Sequence, residues 1–116
     1  GKLDLNADVS RYLGWSLRNP SFPNRPITLG MLLSHTSSVR EHDDDYAIPL
    51  SGSLKAVMAD PKNWDPAHGP GDNYFRYTNL NFPIVASIVE MVTGERFDIW
   101  MRRNLLEAMK LDACYN

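Results

Sequence analysis

The chain has 116 residues, 43 % of them hydrophobic and 22 % charged, which suits one folded domain and is too apolar for a disordered segment. Its formal net charge is -2 and its 12 basic residues are scattered, which argues against a nucleic-acid partner, since such a surface concentrates positive charge. Cys114 is the single cysteine, so no internal disulfide forms, and no apolar run approaches the roughly 20 residues that span a bilayer. The chain starts at Gly1 with neither a methionine nor a basic-then-apolar leader pattern, and the expectation is that residues upstream have been removed.

The first predicted element is a short helix over about Ala7 to Leu13, with Asn6 or Asp4 as its N-cap. Gly14 to Pro26 carries three prolines and two asparagines and reads as surface loop. Thr28 caps the next helix, whose side of Leu29, Leu32 and Leu33 repeats at helical spacing up to His35. Ser51 or Ser53 opens a third helix over Leu54, Val57 and Met58, stopped by Pro61, and the Pro- and Gly-rich stretch to Asn73 is irregular. Asn79 is expected at or next to the cap of a helix carrying Ile84, Val85, Ile88, Val89 and Val92 on one stripe, with Pro83 in the first turn and Gly94 just past the end. A last helix is predicted over Phe97 to Lys110, with Phe97, Trp100, Met101, Leu105 and Met109 on one side and Arg102-Arg103 on a solvated face. Only Tyr74 to Thr78 is ambiguous with a strand, so the predicted class is mainly α.

The histidines His35, His42 and His68 have no metal-ligand spacing, and the acidic run Glu41 to Asp45 lacks the alternating pattern of a calcium loop. His35 closes a helix. It reads either as a structural histidine held by the helix C-terminus and its neighbours, or as a general base if a nucleophile lies in reach. Tyr77-Thr78-Asn79 follows a Pro-Gly turn and precedes a helix. In extended backbone, residues two apart point to the same side, so the Tyr77 phenol and Asn79 carboxamide can address one substrate. A tyrosine serves as a general base only where a nearby cation favours its ionised form. The competing reading has Tyr77 covering the core while Asn79 caps the helix.

Five stretches in order resemble one family, the serine hydrolases of penicillin-binding and class C β-lactamase type, with their esterases and D-aminopeptidases. Gly1 to Val9 with Tyr12-Leu13 resembles GKLDLDDPV…YLP, and Ile27 to Ser37 resembles ITLRHLLTHTSG. Pro70-Gly71 with Phe75 to Asn79 resembles PG…F.YSN, Ile84 to Gly94 resembles LLGxIIExVTG, and Phe97 to Leu111 resembles FxxWxxExIxxPLGM. The resemblance implies that this chain is the helical lobe of a two-lobed α + β fold, with the flanking sheet lobe absent from it. It also implies that Tyr77 assists proton transfer at a serine nucleophile, that Asn79 hydrogen-bonds substrate and the catalytic lysine, and that the His35-Thr36-Ser37 segment is mainly architectural.

There are departures. Ser38 stands where the resembled motif has glycine, and Ala108-Met109-Lys110-Leu111 stands for PLGM. None of the nine serines is followed three residues on by lysine, so the S-x-x-K element is missing, as is K-T-G or H-x-G. The expectation is therefore a complete protein that hydrolyses a β-lactam, ester, D-amino-acid peptide or small amide, and a chain that is inactive alone. No cofactor or metal is implied, and the partners implied are a small acyl substrate and the missing lobe, or self-association through exposed apolar faces. The resemblance leans to a periplasmic or secreted location, with the cytoplasm open. The alternative is a family member without catalysis, or a helical scaffold or binding module.

Overall fold

Hydrogen bonding at the chain turns decides where each helix starts and stops in the computed structural model, which describes residues 2–42 and 52–113. Helix α1 (Ser10–Leu13) starts where the Asp8 carboxylate accepts the Ser10 N–H at 3.0 Å, and it ends at Gly14 with φ 73°. Arg18 grips the same carboxylate through both terminal nitrogens and ties the cap to the next loop. This helix is shorter than the expected Ala7 to Leu13, and its N-cap is Val9, with the Asp8 carboxylate just before it, rather than Asn6 or Asp4. The Asp4 carboxylate instead takes the Asn6 N–H two residues on, which makes a turn and not a helix.

Helix α2 (Leu29–Leu33) is capped by Thr28, whose side chain accepts the Met31 N–H. It closes through His35 N–H to Leu32 O (3.3 Å) and Thr36 N–H to Met31 O (2.9 Å), with His35 at φ 56°. That is the Schellman pair of bonds, built on a position where glycine is usual. Leu29 and Leu32 are buried while Leu33 faces out, so the apolar stripe is narrower than its spacing suggests. Helix α3 (Leu54–Ala59) stops before a 3-10 turn at Pro61–Asn63. Ser53 sits at its N-cap without a side-chain bond, and Ser51 lies outside the described residues.

Helix α4 (Asn81–Thr93) is the longest and packs against α1, α2 and α5 (Phe97–Met101). Ile84 and Ile88 are wholly buried, and Val85 and Val92 pack partly buried against the same core. Pro83 is the third helical residue, where its missing N–H has no intrahelical partner to lose. The N-cap is Leu80, so Asn79 stands next to the cap as expected, and its side chain pairs with the Tyr77 hydroxyl.

Beyond α5 the chain passes into a π turn at Arg102–Leu106. The wider turn rotates everything after it, so the expected single stripe does not persist to Met109. Leu106 is buried at 6 % exposure, whereas Leu105 is 38 % and Met109 58 % exposed.

The irregular segments also contribute to the core. The Gly14 to Pro26 stretch, read as surface, buries Leu17 and Asn19. Asn19 Nδ2 donates to Ser38 Oγ and to Asp65 O, so one loop stitches two others. Trp64 is buried with its indole N–H donating to Met58 O at 2.9 Å. Among the described residues, β pairing is limited to the isolated bridges Asp8–Thr28 and Val39–Trp64, and the lobe is mainly helical.

Candidate functional site

The N-terminal end of α4 is where the loop after α2 meets the segment that follows the Pro70-Gly71 turn. That turn is held from several sides. The Gly71 N–H donates to Thr36 O, and the Asp72 carboxylate accepts the Gly69 N–H at 2.7 Å and Arg25 at 2.8 Å. The Arg25 hydrogen bond, with that N–H, holds the Asp72 carboxyl below the usual carboxylate value. Upstream, burial pushes the Asp65 carboxyl up, but the N–H groups of Ala67 and His68 outweigh it and the net shift is downward. The His68 ring stacks on Tyr74 at 3.6 Å and 5°.

From Tyr74 to Thr78 the backbone forms neither helix nor strand, and the Arg76 N–H docks on His35 O at 2.9 Å. Tyr77 and Asn79 turn their side chains toward each other, and the Tyr77 hydroxyl donates to Asn79 Oδ1 at 2.8 Å. Both residues are exposed, Tyr77 at 56 %. The structure thus brings these two side chains together in an open position.

His35 sits beneath them. Its ring lies 4.6 Å from that of Tyr77 and meets Phe75 and Phe82 edge-on, each at 5.8 Å. The Thr78 N–H points to its Nδ1 at 3.4 Å, and Asn81 Nδ2 lies 3.1 Å from the same atom. A main-chain N–H can only donate, so Nδ1 is an acceptor and the ring proton belongs on Nε2. Asn81 is itself buried, taking the Ser37 hydroxyl on Oδ1 and donating to Leu32 O. Ser37 is thereby engaged in the core. Among the described residues no serine is hydrogen-bonded to His35, which leaves its general-base reading without a nucleophile and supports its architectural reading through the Nδ1 bonds and ring contacts.

One participant had no local signal. Glu41 lies 38 residues from Asn79 in sequence, yet its carboxylate accepts the main-chain N–H groups of Asn79 and Leu80. In sequence it was merely the first acid of a polar run, whose remaining acids Asp43 to Asp45 lie outside the described residues. Among the described residues, no three His, Cys, Asp or Glu side chains are grouped to hold a metal ion. No helix there is long and apolar enough to cross a membrane.

The beta-lactamase family profile matches residues 1–115. The chain is 26 % identical over 117 residues to Protein flp of Staphylococcus aureus (strain N315), covering 96 % of this chain and 22 % of that protein. The chain thus spans about a fifth of that relative's length. Among solved structures, the D-stereospecific amidohydrolase from Streptomyces sp. superposes with a TM-score of 0.76 at 25 % identity, over 97 % of this chain and 37 % of that one. The octameric penicillin-binding protein homologue from Pyrococcus abyssi gives a TM-score of 0.74 at 23 % identity, over 99 % and 28 %. These superpositions match the present helices to the helical lobe of a two-lobed fold whose sheet lobe this chain does not contain. With nearly every residue inside the profile, the chain belongs to the beta-lactamase family.

Proposed function

We propose that the complete protein is a serine hydrolase working through an acyl-enzyme, and that this chain supplies its Tyr77 and Asn79. A serine supplied by another part of the protein attacks the substrate carbonyl carbon and its proton passes to a Lys–Tyr77 pair. The tetrahedral oxyanion is held by main-chain N–H groups, and the leaving group departs with a proton returned by that pair. Water then adds to the acyl carbon and releases the acid and the serine. Asn79 steers the substrate and the lysine through its carboxamide. The substrate belongs to the β-lactams, esters, D-amino-acid peptides or small amides, and the D-stereospecific amidohydrolase activity of the Streptomyces relative is in keeping with that range.

One observation carries the reading. The phenol and the carboxamide stand side by side, 2.8 Å apart and open to solvent, at the family's Y-x-N position. A tyrosine serving only to cover the core would be expected to lie buried. In the complete protein, Tyr77→Phe should lower kcat/KM by about 10²-fold, as general acid–base assistance commonly contributes that much. The ring and its contact with His35 survive the change. Equal turnover of a good ester or amide substrate by the variant would show that Tyr77 is structural.

A further inference from the structure

The Tyr77–Asn79 pair does not by itself determine which way its hydrogen bond runs. A hydroxyl both donates and accepts, so either end of the Asn79 amide would satisfy the phenol. The third member of the group removes that freedom. Glu41 is half-buried and leans over the start of α4, where one carboxylate oxygen accepts the main-chain N–H groups of Asn79 and Leu80, the latter at 3.2 Å. Its other oxygen lies 3.4 Å from Asn79 Nδ2. An ionised carboxylate can only accept, so the amide must turn its NH2 end to Glu41 and leave its oxygen facing Tyr77.

We propose that Glu41 is a positioning residue which fixes the orientation of the Asn79 amide, and thereby makes Tyr77 a hydrogen-bond donor and Asn79 Oδ1 the acceptor at the mouth of the site. The two main-chain bonds anchor the carboxylate, and the side-chain contact transmits its polarity 2.8 Å further to the phenol. The result is an acceptor oxygen presented at the open end of the pair, the polarity that a cationic or N–H-bearing group needs there. Only the catalytic consequence rests on the proposed acyl-transfer role; the orientation itself does not.

Glu41→Gln separates this role from simple helix capping. The introduced carboxamide keeps its oxygen on the two main-chain N–H groups, because the reverse orientation would forfeit two bonds to save one. Its NH2 then confronts Asn79 Nδ2, donor against donor, and the Asn79 amide should turn over. In the complete protein labelled with 15N-asparagine and 13C-tyrosine, the Asn79 NH2 protons should show nuclear Overhauser contacts to Glu41 methylene protons in the wild type. In Glu41→Gln they should show contacts to the Tyr77 ring instead, and in Glu41→Ala both sets should appear. Unchanged Asn79 contacts in both variants would overturn the proposal and leave Glu41 as a helix cap alone. Alongside the switch, kcat/KM of Glu41→Gln should fall roughly tenfold, the loss expected for one misdirected hydrogen bond. The switch with unaltered kcat/KM would uphold the positioning and refute the catalytic reading of the pair.

Discussion

Two residues occupy left-handed backbone where the resembled motifs carry glycine: Ser38 at φ 70° and Lys110 at φ 54°. The chain has kept both turns and accepted the strain of a Cβ, about 1–2 kcal/mol for an L-residue there. The two are not equivalent. Ser38 Oγ donates to His68 O and accepts from Asn19 Nδ2, both at 2.6 Å, so its side chain bridges two loops. Lys110 is exposed, and the bonds that close its turn, Lys110 N–H to Glu107 O and Leu111 N–H to Leu106 O, are main-chain only. Lys110→Gly should therefore raise stability by roughly 0.5–1 kcal/mol, relief of strain exceeding the entropy that glycine adds to the unfolded chain. Ser38→Gly should give no gain, because His68 O loses a partner and Asn19 Nδ2 keeps only its bond to Asp65 O. Urea denaturation of both variants checks this, and a larger gain from Ser38→Gly than from Lys110→Gly would contradict it.

At the scale of elements, carboxylates hold the start of α1 and the turns at Asp65 and Asp72, which makes the lobe acid-sensitive. Burial pushes the Asp8 carboxyl up, but hydrogen bonds from Arg18 and Ser10 outweigh it and hold it below its usual 3.8. Asp65 and Asp72 shift the same way. A carboxyl depressed in the native state favours folding fully above its unfolded value, and that contribution is lost as pH falls through the native one. Stability should thus be flat above about pH 5 and decline below 3.8. Asp8→Asn should cost on the order of 1 kcal/mol at pH 7, with the gap to wild type closing in acid. A gap independent of pH would show that Asp8 acts by shape and not charge. The same elements show what the sequence carries locally. Thr28 as a cap, the Ile84–Ile88 stripe and the neighbourhood of Tyr77 and Asn79 are short-range patterns, and each is present in the fold. The burial of Leu17 and Asn19 in a Pro-rich loop and the reach of Glu41 to Asn79 depend on partners far along the chain, and the π turn at Arg102–Leu106 changes the helical period itself, none of which periodicity registers.

For the whole molecule, the open question is what this lobe does without its counterpart. Several large apolar side chains are exposed on its surface. Phe75, at 67 % exposure, stands beside Tyr77 and Phe82 around the site, and Met91, Ile99 and Met109 project from α4, α5 and the stretch beyond. Faces of this kind suit burial against another structural layer, and as a free polypeptide the 116 residues should self-associate or be marginally stable. Chemistry should be missing for a separate reason. Acyl transfer needs a nucleophile with a base in contact and fixed oxyanion donors, and the sequence has no S-x-x-K. Four of the described serines hold other partners, Ser38 among them through His68 O. Ser10 receives Arg18, Ser37 donates to buried Asn81, and Ser34 pairs with Thr36. Tyr77 and Asn79 can orient a carbonyl but cannot attack it. The isolated chain should therefore hydrolyse activated esters and β-lactams no faster than its denatured control, and a serine-directed phosphonate should leave its intact mass unchanged. A stoichiometric adduct would expose a nucleophile within the lobe itself and displace the assignment of Tyr77 and Asn79 as auxiliaries to a serine held elsewhere.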